Sequence, residues 1–488
     1  MKLLKELVEG LEVTCLQGSL DTKIESLEYD SRKVTPGALF VCIDGTEVDG
    51  HAYAGKAVEA GCVALLVTKP VEVPQHVTVV LVKNGRQALA YASAAFFDHP
   101  AEKLKVIGVT GTKGKTTTTY MVRSVLEDAG IKTGLIGTIE AIIGEEHIPA
   151  KNTTPESFVI QSYFAKMVAC GCKAVVMEVS SQGLMMHRTD GFTFELGIFT
   201  NIEPDHIGPN EHKDFAEYMA CKGMLFKQCR YGIVNFDDPH TQEVLKGHTC
   251  EVLSYGFQEG ADIRAVNVSL EKKPGYLGVA YDTEGLVKDH FAIDMPGKFS
   301  VYNSLAAMSI CRHFHVDMDT MKKVLKTAKA RGRVEKVETN RPFTVLLDYA
   351  HNAMALNSLL STLKEYEPGR LVCVFGCGGN RSKLRRYEMG EVSGKLADLT
   401  IITSDNPRFE EPQDIMADIE IGMKKTDGAY CMIENRGEAI LYAVSHAQAG
   451  DVIVVAGKGH EDYQEIKGVK YHMDDRELIM DALQNAGE

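Results

Sequence analysis

Lys115 and Thr116 stand where a glycine-bearing loop runs into a helical pattern, in the stretch VIGVTGTKGKTTTTYMVRSVLEDAG at residues 106–130. A lysine followed by a threonine at such a junction has the chemistry of a phosphate cradle. Backbone N–H groups and the positive end of the helix dipole hold phosphate oxygens, the lysine reaches the terminal ones, and the hydroxyl ligates Mg²⁺. The usual spelling places a glycine five residues before Gly114, whereas this chain has Val109 there with Gly108 and Gly111 on either side, so the loop is a variant. The bland alternative, a glycine-rich turn that binds nothing, has the strand, loop and helix context against it.

Other polar groups recur at the ends of apolar runs. Glu178 follows Ala174–Met177, where a carboxylate can complete a Mg²⁺ shell opposite Thr116, because this hard ion takes oxygen ligands beside substrate phosphates. A capping or solvated glutamate is the other reading of the same spacing. Asp205 and His206, after Asn201, form a second candidate ligand set, although a lone histidine is more often structural. Lys222, in YMACKGMLF, reads by composition alone as a surface lysine laid along an apolar face. Further on, GCGGNR (376–381), SDNPRFEEP (404–412) and AGKGHED (456–462) each follow an apolar strand pattern. Arg381 and Arg408 offer planar forks for carboxylates and Glu461 an acceptor for an ammonium, so together they describe a pocket for a zwitterion. Taken singly, each arginine reads as a solvated surface charge.

These groups need a scaffold of parallel strands. Strand patterns at 106–110, 174–178, 196–201 and 232–235 alternate with helical ones, as expected of a mostly parallel sheet with helices on both faces. A second series at 344–348, 371–375, 400–403 and 452–456, with a helix at 353–366, reads as a doubly wound domain. Residues 1–98, with YDSRKVTPGALFVCIDG as their distinctive piece, read as a small α/β module. The fold class is therefore α/β in three domains: 1–98, a central P-loop ATPase-like domain at 99–337, and a Rossmann-like domain at 338–488. A chain of 488 residues suits that division.

The net charge of −14 disfavours nucleic acid or an anionic membrane as partner and requires any phosphate site to be built locally. The N-terminus, MKLLKELVEGLEV, carries Lys5, Glu6 and Glu9 among its leucines and does not read as a signal peptide; no segment has membrane-spanning length. Twelve scattered cysteines without matched ligand pairs read as reduced thiols of a cytoplasmic protein rather than zinc ligands or a disulfide framework.

TGTKGKTT, MEVSSQGL, the DH of NIEPDHIG, ACKGMLF, YNSLAA, GRVE, LDYAH, GCGGNR, DNPR and GKGHED, with DSRKVTPGALFV in front, occur in the order and approximate spacing of the Mur ligases of bacterial cell-wall synthesis. The resemblance spans nearly the whole chain. It implies an ATP- and Mg²⁺-dependent enzyme, working as a monomer on small molecules, that joins an amino acid to a UDP-linked muramoyl dipeptide through an acyl phosphate.

Carried over by position, the resemblance gives Ser31 a contact to the UDP-sugar. Gly111, Thr112, Lys113, Gly114, Lys115, Thr116 and Thr117 become the ATP cradle, with Asn303, Arg333, Asp348 and His351 around the nucleotide. Asn152, Thr153, Thr154, Ser180 and Arg188 match positions that hold the muramoyl peptide. Lys115, Glu178, His206 and Lys222 match the catalytic set, with Thr116, Glu178, His206 and Lys222, the last as a carbamate, the magnesium ligands. Arg381, Asp405, Asn406, Pro407, Arg408, Gly457 and Glu461 match the amino-acid site. DNPR is the spelling that goes with meso-diaminopimelate, a diamino acid whose second carboxylate Arg408 can pair.

The chain departs from the family pattern at Met186, where a glutamine is common, at Ser382 for an aspartate, at Tyr387 for a proline, and across 207–215. Two alternatives stay open: a ligase of the same class adding L-lysine, ornithine or another amino acid, and a P-loop kinase or NTPase switch.

Overall fold

The computed structural model describes residues 1–45, 48–208 and 211–486, so Pro209 and Asn210 of the divergent 207–215 segment lie outside the described residues. The chain forms two compact units, one of Met1–Tyr255 with Ala306–Val316, the other of Gly256–Leu305 with Asp317–Glu488.

In the first unit the strand Lys105–Thr110 lies between Ala174–Glu178 and Phe194–Phe199, parallel to both. Thr133–Ile136 extends the sheet beyond the first neighbour, and Cys229–Asn235 followed by Glu251–Gly256 extends it beyond the second, all in parallel register. From Lys105–Thr110 the chain passes first to the outer strand Thr133–Ile136, returns to place Ala174–Glu178 between the two, and then builds outward on the other side. The reversal opens a crevice at the carboxyl ends of the strands, which is where ligands bind in such sheets. Apart from the exposed Lys105, the residues of Lys105–Thr110 and Ala174–Glu178 are all buried because helices cover both faces. Ile160, Phe164 and Met167 of the helix Ser157–Ala169 pack on Val106, Val175 and Met177; each such fully buried side chain contributes about 1.5–3 kcal/mol.

The helix Lys115–Asp128 starts on Gly114, whose φ of 86° turns the chain into the first helical turn. Four consecutive threonines open it, a poor start by propensity, but Met121, Val122, Val125 and Leu126 bury its inner face and hold it helical. The N-terminal module is a five-strand sheet in the order Val13–Gln17, Thr78–Val82, Ala64–Val67, Ala38–Val41, Ser26–Glu28, parallel apart from its first pair. Its helix Gly85–Phe96 is capped by Asn84, whose side chain accepts from the N–H groups of Arg86 and Gln87.

The second unit holds a six-strand sheet in the order Glu335–Val337, Thr344–Asp348, Val452–Ala456, Leu371–Phe375, Leu399–Ile402, Tyr430–Met432, parallel except for the first strand. Leu356, Leu360, Met389 and Ile419 cover one face, and Ile440, Ala443 and Ile479 the other. This is the doubly wound arrangement expected. The same unit also carries three antiparallel strands, Ile263–Lys273, Tyr276–Gly285 and His290–Ile293, where the sequence reading anticipated only alternation of parallel strands with helices. The signal was Pro274–Gly275 between two alternating runs: Gly275 has φ 70°, the left-handed position of a tight turn. A second hairpin, Glu140–Ile143 with Glu146–Pro149, edges the first unit's sheet.

Candidate functional site

The loop after Lys105–Thr110 is fixed from the neighbouring strand end. Thr112 N–H donates to the Asn201 carbonyl at 2.9 Å, Lys113 N–H to Asn201 Oδ1 at 2.9 Å, and Thr200 Oγ1 to the Lys113 carbonyl at 2.7 Å. Gly111 has φ 150°, and a Cβ there would lie 1.9 Å from Thr200 Oγ1, so only glycine permits this approach. Thr200 and Asn201 thus shape the cradle, a role invisible in the sequence because it depends on two strands being neighbours.

Lys115 Nζ donates to the carbonyls of Gly111 at 2.8 Å and Thr112 at 3.1 Å. Lys222 Nζ donates to the same Gly111 carbonyl at 2.9 Å and sits 4.4 Å from the centre of the Tyr218 ring. The snorkelling reading of Lys222 is overturned, since the residue is 1% exposed. Burial drives its pKa well below the ordinary lysine value, and the neighbouring Lys115 charge pushes the same way. A buried amine thus held towards its neutral form is a nucleophile able to take up CO₂. The signal for its companion lay in the spacing: Tyr218 and Lys222 are four apart on the helix Phe215–Gly223 and share a face, and Tyr218 Oη reaches Thr112 Oγ1 at 3.0 Å.

Glu178 ends its strand buried, 1% exposed, which excludes the solvated reading. Thr116 Oγ1 donates to Glu178 Oε2 at 3.1 Å, Thr138 Oγ1 to the same oxygen at 2.9 Å, and Thr138 N–H to Oε1 at 2.8 Å. A Cβ on Gly137 would come 2.5 Å from Glu178 Oε1, so the 137–138 turn must be close and glycine allows it. A buried carboxylate beside a hydroxyl on the first turn of the loop helix is a hard-oxygen donor set that fits Mg²⁺. His206 is exposed, at φ 54°, with Nδ1 3.1 Å from Glu211 and its ring 6.1 Å from that of Tyr218.

Below Glu178 a polar ladder orders the next loop. Thr154 Oγ1 donates to the Glu178 carbonyl and accepts from Ser180 N–H, both at 2.9 Å. Arg188 donates to the Thr154 carbonyl at 2.9 Å and to Glu156 at 3.0 Å, and Ser180 Oγ caps the helix Ser181–Met185 by accepting from Gly183 N–H. Thr153 Oγ1 is 3.1 Å from Thr138 Oγ1, which links this group to the Glu178 cluster, whereas Asn152 and Ser31 lie in loops towards solvent.

In the second unit Asp348 ends a strand and accepts from Val334 N–H and Ala350 N–H, both at 2.8 Å, while burial raises its pKa. The Arg333 guanidinium lies 4.6 Å from the Tyr349 ring centre, and His351 Nδ1 is 2.9 Å from the Tyr349 carbonyl. Asn303 is buried on the helix Lys298–His313.

Strand ends of that unit also gather the zwitterion group. Asn406 Nδ2 donates to Glu461 Oε2 at 2.9 Å, and Asp405 Oδ2 is 3.0 Å from where a Cβ on Gly457, φ 111°, would lie. Arg408, at φ 52°, donates from a terminal guanidinium nitrogen to the Gly379 carbonyl at 2.7 Å and from Nε to Glu465 Oε2 at 3.3 Å. Arg381 is exposed on the facing loop. Lys458, missed in the sequence reading, is fully buried and donates to Asn406 Oδ1 at 3.3 Å, Glu461 Oε2 at 3.4 Å and the Tyr463 carbonyl. Its position inside GKGHED was the available signal.

Three family descriptions match the chain: "Mur ligase family, catalytic domain" over residues 23–107, "Mur ligase middle domain" over 109–311, and "Mur ligase, glutamate ligase domain" over 332–459. The chain is 40% identical to the UDP-N-acetylmuramoyl-L-alanyl-D-glutamate--2,6-diaminopimelate ligase of Clostridium perfringens over 99% of both chains. It is 43% identical to the corresponding ligase 1 of Clostridium acetobutylicum over 98% of both. A solved structure of a ligase of the same name superposes with a TM-score of 0.73 at 27% identity, covering 100% of this chain and 99% of that one.

Proposed function

The chain belongs to the Mur ligase family, and from that premise we propose that it adds meso-diaminopimelate to UDP-N-acetylmuramoyl-L-alanyl-D-glutamate at the expense of ATP, in peptidoglycan synthesis. The observation that carries this reading is the convergence of Lys115 and Lys222 on the Gly111 carbonyl, with Thr116 against the buried Glu178. It joins a phosphate cradle to a place for a metal at one strand-end crevice.

A carboxylate is a poor electrophile, so amide formation requires one of its oxygens to become a leaving group; phosphoryl transfer from ATP achieves this by forming an acyl phosphate. The Gly111–Thr117 loop N–H groups and Lys115 hold and neutralise the transferring phosphoryl group, which is positional and electrostatic catalysis. Thr116, Glu178, His206 and Lys222 as its carbamate would hold Mg²⁺, which when bound screens the charge between the two anions. Thr154, Ser180 and Arg188, with Asn152, Thr153 and Ser31, orient the UDP-muramoyl dipeptide, and Asn303, Arg333, Asp348 and His351 the nucleotide. Asn406, Glu461, Asp405, Gly457 and Arg381 hold the α-amino acid end of the acceptor, and Arg408 its distal carboxylate. The amine then attacks the acyl carbon and phosphate leaves.

In this assignment residues 1–98 take the UDP-sugar, 99–337 the ATP and 338–488 the amino acid; the enzyme works as a cytoplasmic monomer. No helix among the described residues is long and apolar enough to cross a membrane. The test is incubation with ATP, Mg²⁺, the UDP-linked dipeptide and a panel of amino acids, with the adduct identified by mass. A diaminopimelate adduct is expected. A lysine or ornithine adduct refutes the acceptor assignment, and ATP consumption without any amide product refutes the ligase.

A further inference from the structure

Arg381 and Arg408 stand on the loops that follow two neighbouring strands, Leu371–Phe375 and Leu399–Ile402, so the spacing of their forks depends on what joins one loop to the other. Left-handed backbone marks both places. Asn380, immediately before Arg381, has φ 53°, and Arg408 itself has φ 52°. Neither residue is a glycine, and such conformations persist where surrounding bonds over-determine them.

Those bonds converge on Glu410. Asn380 N–H donates to Glu410 Oε1, Phe409 N–H to Asn380 Oδ1 at 3.2 Å, and Gly379 N–H to the Asn406 carbonyl at 2.8 Å. The loops touch backbone to backbone, since a Cβ on Gly379 would fall 1.9 Å from the Pro407 carbonyl oxygen. Glu410 is in turn gripped by Arg386, whose Nη1 donates to Oε2 at 2.9 Å and whose Nη2 donates to Oε1 at 2.8 Å, a paired fork. Arg386 Nη1 also reaches Asp418 Oδ2 at 2.9 Å.

Arg386 lies on the helix Lys383–Leu396 and Asp418 on the helix Pro412–Met423. A Cβ on Gly422 would fall 2.0 Å from the Tyr387 carbonyl oxygen, so these helices are closely packed, and Arg386 sits at their contact 1% exposed. Its paired bonds fix the plane of the Glu410 carboxylate as well as its place. Glu410 is two residues from Arg408, and its bond to Asn380 ends one residue from Arg381. The helix pair thus holds both loops through one carboxylate.

We infer that Arg386 and Glu410 are positioning residues for acceptor choice: they lock the 378–381 loop onto the 406–410 loop and set the spacing at which Arg381 and Arg408 meet the two carboxylates of one diamino diacid, an inference that rests on the acceptor assignment above. Forks at a fixed spacing read chain length as well as charge, because a diacid shorter by one methylene satisfies one fork and leaves the other unpaired.

The test compares meso-diaminopimelate with its one-methylene-shorter homologue, diaminoadipate, in the wild type, Glu410→Gln and Arg386→Lys, with KM measured for each amino acid, for ATP and for the UDP-linked dipeptide. Glu410→Gln keeps the volume of a side chain that is 29% exposed, so it should fold, and it decides the matter alone if Arg386→Lys does not. In the folded variants KM for meso-diaminopimelate should rise about fivefold or more, the ratio of diaminopimelate to diaminoadipate efficiency should fall by a similar factor, and KM for ATP and the dipeptide should stay within about twofold. Lys424→Ala, exposed just past the helix Pro412–Met423, should change none of these. An unchanged ratio in folded Glu410→Gln, or equal rises in KM for all three substrates, overturns the positioning role while the wild-type diaminopimelate adduct stands. Absence of that adduct from the wild type refutes the acceptor assignment and this inference with it.

Discussion

Arg408→Ala is the sharpest probe of acceptor choice. The guanidinium is held in place by the Gly379 carbonyl at 2.7 Å and by Glu465 at 3.3 Å, and its side chain is 24% exposed, so it is fixed and largely desolvated before any substrate arrives. A hydrogen bond to a charged partner contributes about 1.5–3 kcal/mol, and a buried carboxylate left without one loses a similar amount. Partial exposure places the expected loss near the lower end, about 1.5–2 kcal/mol, which is roughly 10- to 30-fold in kcat/KM for meso-diaminopimelate. L-Lysine has no second carboxylate, so its kcat/KM should change by less than about threefold on the same reasoning. The assay is phosphate release with each amino acid varied at saturating ATP and UDP-linked dipeptide, run beside Arg408→Lys, which keeps the charge but loses the fork. The backbone there needs φ 52°, a cost the arginine already bears, and the Arg408 N–H bond to the Glu465 carbonyl does not involve the side chain, so the fold should persist. If Arg408→Ala leaves the ratio of diaminopimelate to lysine efficiencies unchanged, the guanidinium does not read the distal carboxylate and the specificity argument fails.

Lys115→Ala should abolish phosphate release in the presence of both co-substrates while the chain stays folded by circular dichroism, because the amine's contacts at 2.8 and 3.1 Å are to carbonyls of its own loop; substantial residual turnover would remove it from the phosphoryl-transfer step. Lys222→Ala should lower kcat by at least about 100-fold, as expected when a charge-stabilising group is deleted, and a short-chain carboxylate should restore part of it if the working form is a carbamate. No restoration by any carboxylate, together with insensitivity of the intact enzyme to removal of CO₂, would show that the amine itself is what acts. Thr154→Val should cost about 1–3 kcal/mol in urea unfolding, since the Glu178 carbonyl and Ser180 N–H lose their shared partner in a buried place; it should also raise KM for the dipeptide more than for ATP. Equal effects on both substrates would make the ladder a scaffold only.

Much of the site was legible in the chain because its parts are contiguous. Strand, loop and helix at 105–128 follow one another, so Gly111, Gly114, Lys115 and Thr116 could be given their roles from local rules about turns and helix starts. Four of the six strands of the second sheet were legible for the same reason, each being a short apolar run, whereas its short edge strands Glu335–Val337 and Tyr430–Met432 were not read. The antiparallel strands between 263 and 293 were passed over although Pro274–Gly275 marked their turn, because the surrounding alternation of parallel strands and helices set the expectation.

The residue types and their order settled which atoms can do chemistry: a lysine and threonine on a helix start, carboxylates and guanidinium forks after strands. Tertiary structure alone decided their state. Lys222 reads as a surface cation until Gly111, 111 residues earlier, supplies its acceptor and the fold closes over it. Glu178 reads as a magnesium ligand or as a capping or solvated glutamate until Thr138 and Thr116 converge on it, and the loop reads as free until Thr200 and Asn201 pin it from the adjacent strand. The reason is physical: local sequence fixes backbone propensity and chemical capacity, but burial and hydrogen-bond partnership are properties of strands brought side by side, and those determine whether an amine is charged and where a carboxylate points.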